Sequence, residues 1–144
     1  MEGNADNDEA CDSGWLDGSS VGLGCLMFGT DPMTFLEANK FCYKNSAHLV
    51  EILSEAQMDY MKVELQLRET MVGPRDYWGG GSDLNREGQW YWTHSLLPLE
   101  HFVWAEGEPN GGATENFLEF YYYKEYNGND IIDDDDNFPI CQKD

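Results

Sequence analysis

The spacing of hydrophobic and polar positions divides residues 11–144 into two helices, several short strands and one long irregular loop. Trp15-Leu16, a Gly/Ser turn and the apolar run at residues 22–28 predict a β-hairpin with a buried second strand. Thr34-Phe35-Leu36-Glu37 has the spacing of a capping box, in which the Thr34 hydroxyl takes a free amide and Glu37 reaches back. Phe35, Ala38 and Cys42 then fall on one helical face with Phe41 beside it, and Asn45-Ser46 ends the helix. Residues 48–53 form a short extended run. Ser54-Glu55-Ala56-Gln57 is a second capping box, and its helix carries Met58, Met61, Leu65 and Leu67 to about Glu69.

Gly73-Pro74 breaks the chain, and Tyr77-Trp78-Gly79-Gly80-Gly81 leads into a polar turn. Gln89-Trp90-Tyr91-Trp92 is strongly β-prone, residues 118–123 predict an aromatic-rich strand, and Phe138-Pro139-Ile140-Cys141 predicts a closing strand. Residues 93–112 have no regular period, and a loop of that length inside a compact domain is usually functional. Helices first, then strands and a long loop, define an α+β domain. Residues 1–10 are acidic and polar without a period and read as a flexible N-terminal tail, leaving a single domain over 11–144.

Charge changes this picture more than length does. The 144 residues are 41% hydrophobic and 14% aromatic, enough for one real core, yet the net charge is −20. Such a chain repels a phosphate backbone, which excludes nucleic acid as a natural partner, and it favours cations over anionic membranes. Self-repulsion of this size calls for bound cations or crosslinks. No apolar run approaches the ~20 residues of a membrane span. The acidic N-terminal residues do not resemble a leader, so the chain is either a mature exported form or one never exported.

Four cysteines bear on that choice. Cys11, Cys25, Cys42 and Cys141 are even in number and widely spaced, with no Cys-x-x-Cys pair, which favours two disulfides and an extracellular, secreted protein. Three pairings are open. The hairpin favours Cys11–Cys25, and a helix tied to the last strand favours Cys42–Cys141.

Candidate chemistry concentrates between residues 106 and 130. Glu108, Glu115 and Asp130 supply carboxylates, while Asn110 and Asn129 supply amide carbonyls, on either side of one strand-like segment. Calcium takes about six to eight such hard oxygens. Five side chains and a backbone carbonyl fill most of that shell and leave room for two oxygens from a ligand. Residues 133–136, four successive aspartates, read as a solvated turn, with an extra weak cation site as the alternative. His48, His94 and His101 share no ligand-like spacing and read as ordinary residues. No nucleophile–base constellation points to an enzyme.

Several separated pieces together resemble the C-type lectin-like domain over residues 11–144. They are Cys11 with Trp15-Leu16 and Cys25; Glu37-Ala38 with Cys42; His48-Leu49-Val50 with Ile52, Ser54 and Glu55; Tyr77-Trp78-Gly79-Gly80; Glu87-Gly88-Gln89-Trp90-Tyr91-Trp92; Trp104 with Gly107-Glu108-Pro109-Asn110; Asn129-Asp130; and Pro139-Ile140-Cys141. The Trp-Gly-Gly-Gly and Glu-Gly-Gln-Trp-Tyr-Trp segments look most like secreted invertebrate, arthropod-type lectins. The resemblance implies a double-loop domain, two helices flanking small antiparallel sheets, with a long calcium-binding loop. It implies the same two disulfides and a cis peptide before Pro109. It also implies a calcium and sugar site made of Glu108, Asn110, Glu115, Asn129 and Asp130, with Glu-Pro-Asn as the mannose-type signature. Each of two sugar hydroxyls would give an oxygen to calcium, donate to a carboxylate and accept from an amide. Glu108 with Asn110 would serve one hydroxyl and Glu115 with Asn129 the other.

The family pattern is not complete. A second disulfide at the loop's base is missing in register, with Phe117 and Asp133 at its positions. Gly128 stands where the family often has Trp. Asp83 and Glu87 match an auxiliary calcium site, but Gly111 and Asn116 replace its acidic partners. The expected function is a calcium-dependent lectin for mannose-type glycans, such as a microbial surface polysaccharide in pathogen recognition. A homo-oligomer is one way to supply the several weak sites such capture needs. The alternative is an acidic matrix, mineral-binding or protein-binding member of the fold.

Overall fold

In the computed structural model, residues 11–144 are described, and the expected acidic tail at 1–10 lies outside them. Helix α1 spans Phe35–Lys44, and Thr34 begins it as the sequence predicts. The Glu37 amide donates to Thr34 Oγ1 at 3.3 Å, and the Thr34 amide donates to Glu37 Oε1 at 3.0 Å, so the capping box is complete. Phe35, Ala38 and Cys42 are its buried face. Helix α2 spans Glu55–Val72, three residues longer than expected, and stops at Gly73, whose positive φ of 86° suits glycine. Only half of its capping box forms. Ser54 accepts from the Gln57 amide, but the Gln57 side chain turns away to take the Leu53 amide at 2.7 Å and to donate to Val21 O at 3.1 Å. Met58, Met61 and Leu65 are fully buried, whereas Leu67 is on the exposed side.

Eight strands follow the chain: β1 Leu16–Asp17, β2 Cys25–Phe28, β3 His48–Leu49, β4 Tyr77–Ser82, β5 Tyr91–Trp92, β6 Phe117–Tyr121, β7 Asn127–Ile131 and β8 Phe138–Lys143. They connect in the order β1-β2-β8-β4-β6-β7, with β3 also on β8 and β5 also on β4. The expectation of antiparallel pairing holds at every junction except β4 on β8, which is parallel, so the network is mixed. Strand β5 is shorter than the β-prone sequence predicts, because Trp90 is drawn into the loop's aromatic cluster and only Tyr91 and Trp92 pair with β4. Strand β7 was not legible as a strand. Asn127-Gly128-Asn129-Asp130 is β-poor, and β6 imposes its extended form through pairing over its whole length.

Strand β8 is the hub, with β2, β3 and β4 on it and Cys42–Cys141 tying α1 to it. Cys11–Cys25 closes the hairpin. Both favoured disulfides are therefore present. Two apolar clusters fill the interior. The larger runs from Leu23 and Leu26 through the α2 methionines to Trp92, Leu118 and Phe120. The smaller packs α1 against Trp78, Phe117 and Cys141. Phe117 stacks on Phe35 with ring centroids 4.1 Å apart. An aromatic contact with α1 thus occupies the position of the missing family cysteine.

Candidate functional site

The long loop reaches its place by pairing with β7. Gly128 donates to Val103 O and accepts from the Ala105 amide, each at 2.8 Å, and Trp104 forms a parallel bridge to Gly128. A Cβ on Gly128 would overlap the Phe102 ring and lie 3.1 Å from Trp104. The space that a larger residue would take is filled from the loop side, where Phe102 and Trp104 pack edge to face at 5.3 Å. The absent Trp therefore leaves no packing deficit beside the site.

From Ala105 the chain turns, with the Glu108 amide donating to Ala105 O at 2.9 Å, and the Glu108-Pro109 peptide is cis. The loop then closes onto Asp130. The Asn110 amide donates to Asp130 Oδ1 at 3.0 Å and the Gly111 amide to Asp130 Oδ2 at 2.7 Å. Asp130 is only 2% exposed. Two backbone donors hold a buried carboxylate that still has lone pairs to offer.

Around Asp130 the acidic groups converge. The Glu108 carboxyl is pushed up to about 7, first by burial, then by its hydrogen bond to Asp130 and the charges of Asp130 and Glu115, against a downward pull from the Asn110 amide. Its Oε1 is buried without a hydrogen-bond partner. Glu115 is raised by burial, then by Asp130 and Asp135. Its side chain folds against Gly111, where any Cβ would collide with it. Gly111 is therefore the residue that lets Glu115 turn back over the loop. Glu108, Asn110, Glu115 and Asp130 are brought to one place.

Asn129 is placed differently. Adjacent residues of a strand face opposite sides, and Asn129 pairs with Glu119 while Asp130 pairs with Leu118. Asn129 Nδ2 donates to Glu119 Oε2 at 2.6 Å, and Asn137 Nδ2 donates to Glu119 Oε1 at 2.9 Å. Glu119 is 1% exposed, and burial pushes it up to about 7 against those two hydrogen bonds. Sequence reasoning missed this residue. Its place between aromatic positions of an apolar strand was the one available signal.

The auxiliary pair is also together. Asp83 is buried and accepts from the Gly88 amide at 2.8 Å, while its Oδ1 has no partner. Glu87 is raised by burial and then by Asp83 and Asp130. The donor chemistry of the whole region fits calcium. It offers carboxylate and amide oxygens, buried carboxylate oxygens on Glu108 and Asp83 without a partner, and acidic groups close enough to raise one another.

The Lectin C-type domain family model matches residues 31–143. A perlucin-like protein of Mytilus galloprovincialis is 26% identical over 122 residues, covering 85% of this chain and 75% of that protein. The mouse scavenger receptor C-type lectin carbohydrate-recognition domain superposes with a TM-score of 0.78 at 27% identity, covering 93% of this chain and 98% of that one. A calcium-independent type II antifreeze protein shares the fold alone, at TM-score 0.77 and 22% identity, covering 92% and 93%. Several vertebrate relatives are much longer, and the chain spans 14–26% of their length. The chain belongs to the C-type lectin family, whose members with this fold are binding proteins rather than enzymes. Among the described residues, no helix is long and apolar enough to cross a membrane.

Proposed function

We propose that this chain is a secreted, calcium-dependent lectin for mannose-type sugars, serving recognition of a microbial surface. Calcium would be held by Glu108, Asn110, Glu115, Asn129 and Asp130. The observation that carries the reading is that Glu108 carries an unpartnered buried oxygen and is raised by the neighbouring charges of Asp130 and Glu115. Three carboxyls so placed repel one another, and a divalent cation is the partner that turns repulsion into binding. When bound, the ion supplies a Lewis-acidic centre for sugar hydroxyls. Glu108 and Glu115 would accept the hydroxyl protons, and the Asn110 side-chain amide would donate. Asn129 would coordinate through its carbonyl, with one of its two amide hydrogens held by Glu119.

A single exposed site of this kind binds a monosaccharide near the millimolar range, about −4 kcal/mol. Capture of a polysaccharide therefore draws on several sites at once. The test is a mannan resin. The protein is expected to bind in calcium and to elute with a chelator, and retention unchanged by chelator would contradict the reading. The second reading, an acidic mineral-binding protein, draws on the exposed aspartates at 133–136 beside the site. It predicts silence on mannan together with strong adsorption to calcium carbonate.

A further inference from the structure

We propose that His48, His94 and Asp144 form a site for a divalent transition ion, zinc foremost, separate from the oxygen-lined calcium cluster. The residues are far apart in sequence, yet one ligand atom from each lies within 4.8 Å of the other two. They line an open cleft of about 1060 Å³ bounded by α1, residues 93–94 and the end of β8. The His48 and His94 rings stack at 3.8 Å, only 5° from parallel.

The hydrogen bonds set His48 up as a ligand. Its Nδ1 is 2.8 Å from Leu49 O, and its Nε2 is 3.3 Å from Asp144 Oδ2. Both neighbours are acceptors, and a neutral imidazole has one proton. With that proton on Nδ1 toward Leu49 O, the Nε2 lone pair faces the Asp144 carboxylate. A cation between them resolves the clash. Donation of the other ring nitrogen to a backbone carbonyl is the usual support of a metal-bound histidine. Zinc bonds of about 2.0–2.2 Å in a tetrahedron put neighbouring ligands about 3.3–3.6 Å apart. The Nε2–Oδ2 separation of 3.3 Å already matches.

The stacked His94 ring would have to rotate to aim a nitrogen at the ion; it is exposed, and its backbone is fixed. The buried Glu51 carboxylate accepts the His94 and Ser95 amides at 2.8 and 3.1 Å. Thr93 is tied through its amide and hydroxyl to Gly80 O at 2.8 and 2.9 Å. Two imidazoles and one carboxylate suit zinc, copper or nickel and do not suit calcium. Lys40 and Lys44 line the same cleft and oppose a cation, so affinity rests on the three donors rather than on a general field.

The test is calorimetric titration of zinc into the full chain in excess calcium, which keeps the oxygen cluster occupied. One ion per chain is expected to saturate. His94→Ala removes an exposed ring and leaves the fold intact by circular dichroism, and it should weaken uptake at least about tenfold. Asp144→Asn should weaken it as well, and His101→Ala should leave it unchanged. In nitrogen-15 spectra of the imidazoles, His48 Nε2 and His94 should move on zinc addition while His101 stays. Absence of saturable uptake, or uptake equally strong in His94→Ala, would overturn the proposal.

Discussion

Glu108 and Glu119 are both pushed up to about 7, and they illustrate different uses of a buried carboxyl. Glu108 sits among other acids, and on the proposed function a bound cation would offset the cost of its charge. Glu119 is buried against two asparagine amides and supports Asn129 from behind. Its folded pKa lies above the ordinary 4.5, so the native state holds the proton more tightly than the unfolded chain. That stabilisation is fully present below about 4.5 and is lost as pH rises through about 7, a difference on the order of 3 kcal/mol. Glu119→Gln mimics the protonated form. In calcium-free protein, the melting temperature of Glu119→Gln relative to wild type should therefore climb between about pH 5 and about pH 8. A difference that stays flat across that range would show that Glu119 is not the titrating group.

At the scale of elements, the loop is held by its zipper to β7, and Gly128 is the tooth that admits Phe102. Gly128→Ala should cost roughly 1–3 kcal/mol by overpacking, read as a lower melting temperature, with weaker calcium binding as the loop lifts. A neutral result would mean that Phe102 has room to move. The helices were legible because their signals are local. Thr34 with Glu37 and the spacing of Phe35, Ala38 and Cys42 needed no partner to be read. The extended form of Asn127-Gly128-Asn129-Asp130 was not legible, because β6 imposes it. The oxygen-bearing residues of the site stood out by chemistry and by resemblance. The link from Asn129 to Glu119 and the stacking of His48 on His94 did not, since both arise only when distant segments meet.

For the whole molecule, a net charge of −20 sets the terms. The chain offsets self-repulsion with the Cys42–Cys141 bridge, whose sequence separation of 99 corresponds to about 4–5 kcal/mol of lost unfolded-chain entropy. On the proposed function, a bound cation would offset more. At calcium a hundredfold above its dissociation constant, binding to the native state alone stabilises by about 2.7 kcal/mol. Charge, loop and fold thus meet at the Glu108, Glu115 and Asp130 cluster. Calcium titration of wild-type protein and Glu108→Gln by calorimetry tests this most directly. Saturable binding in the wild type, weakened at least about tenfold in the variant and falling as pH drops below about 7, is the expected result. Equal calcium affinity in the two proteins would contradict it.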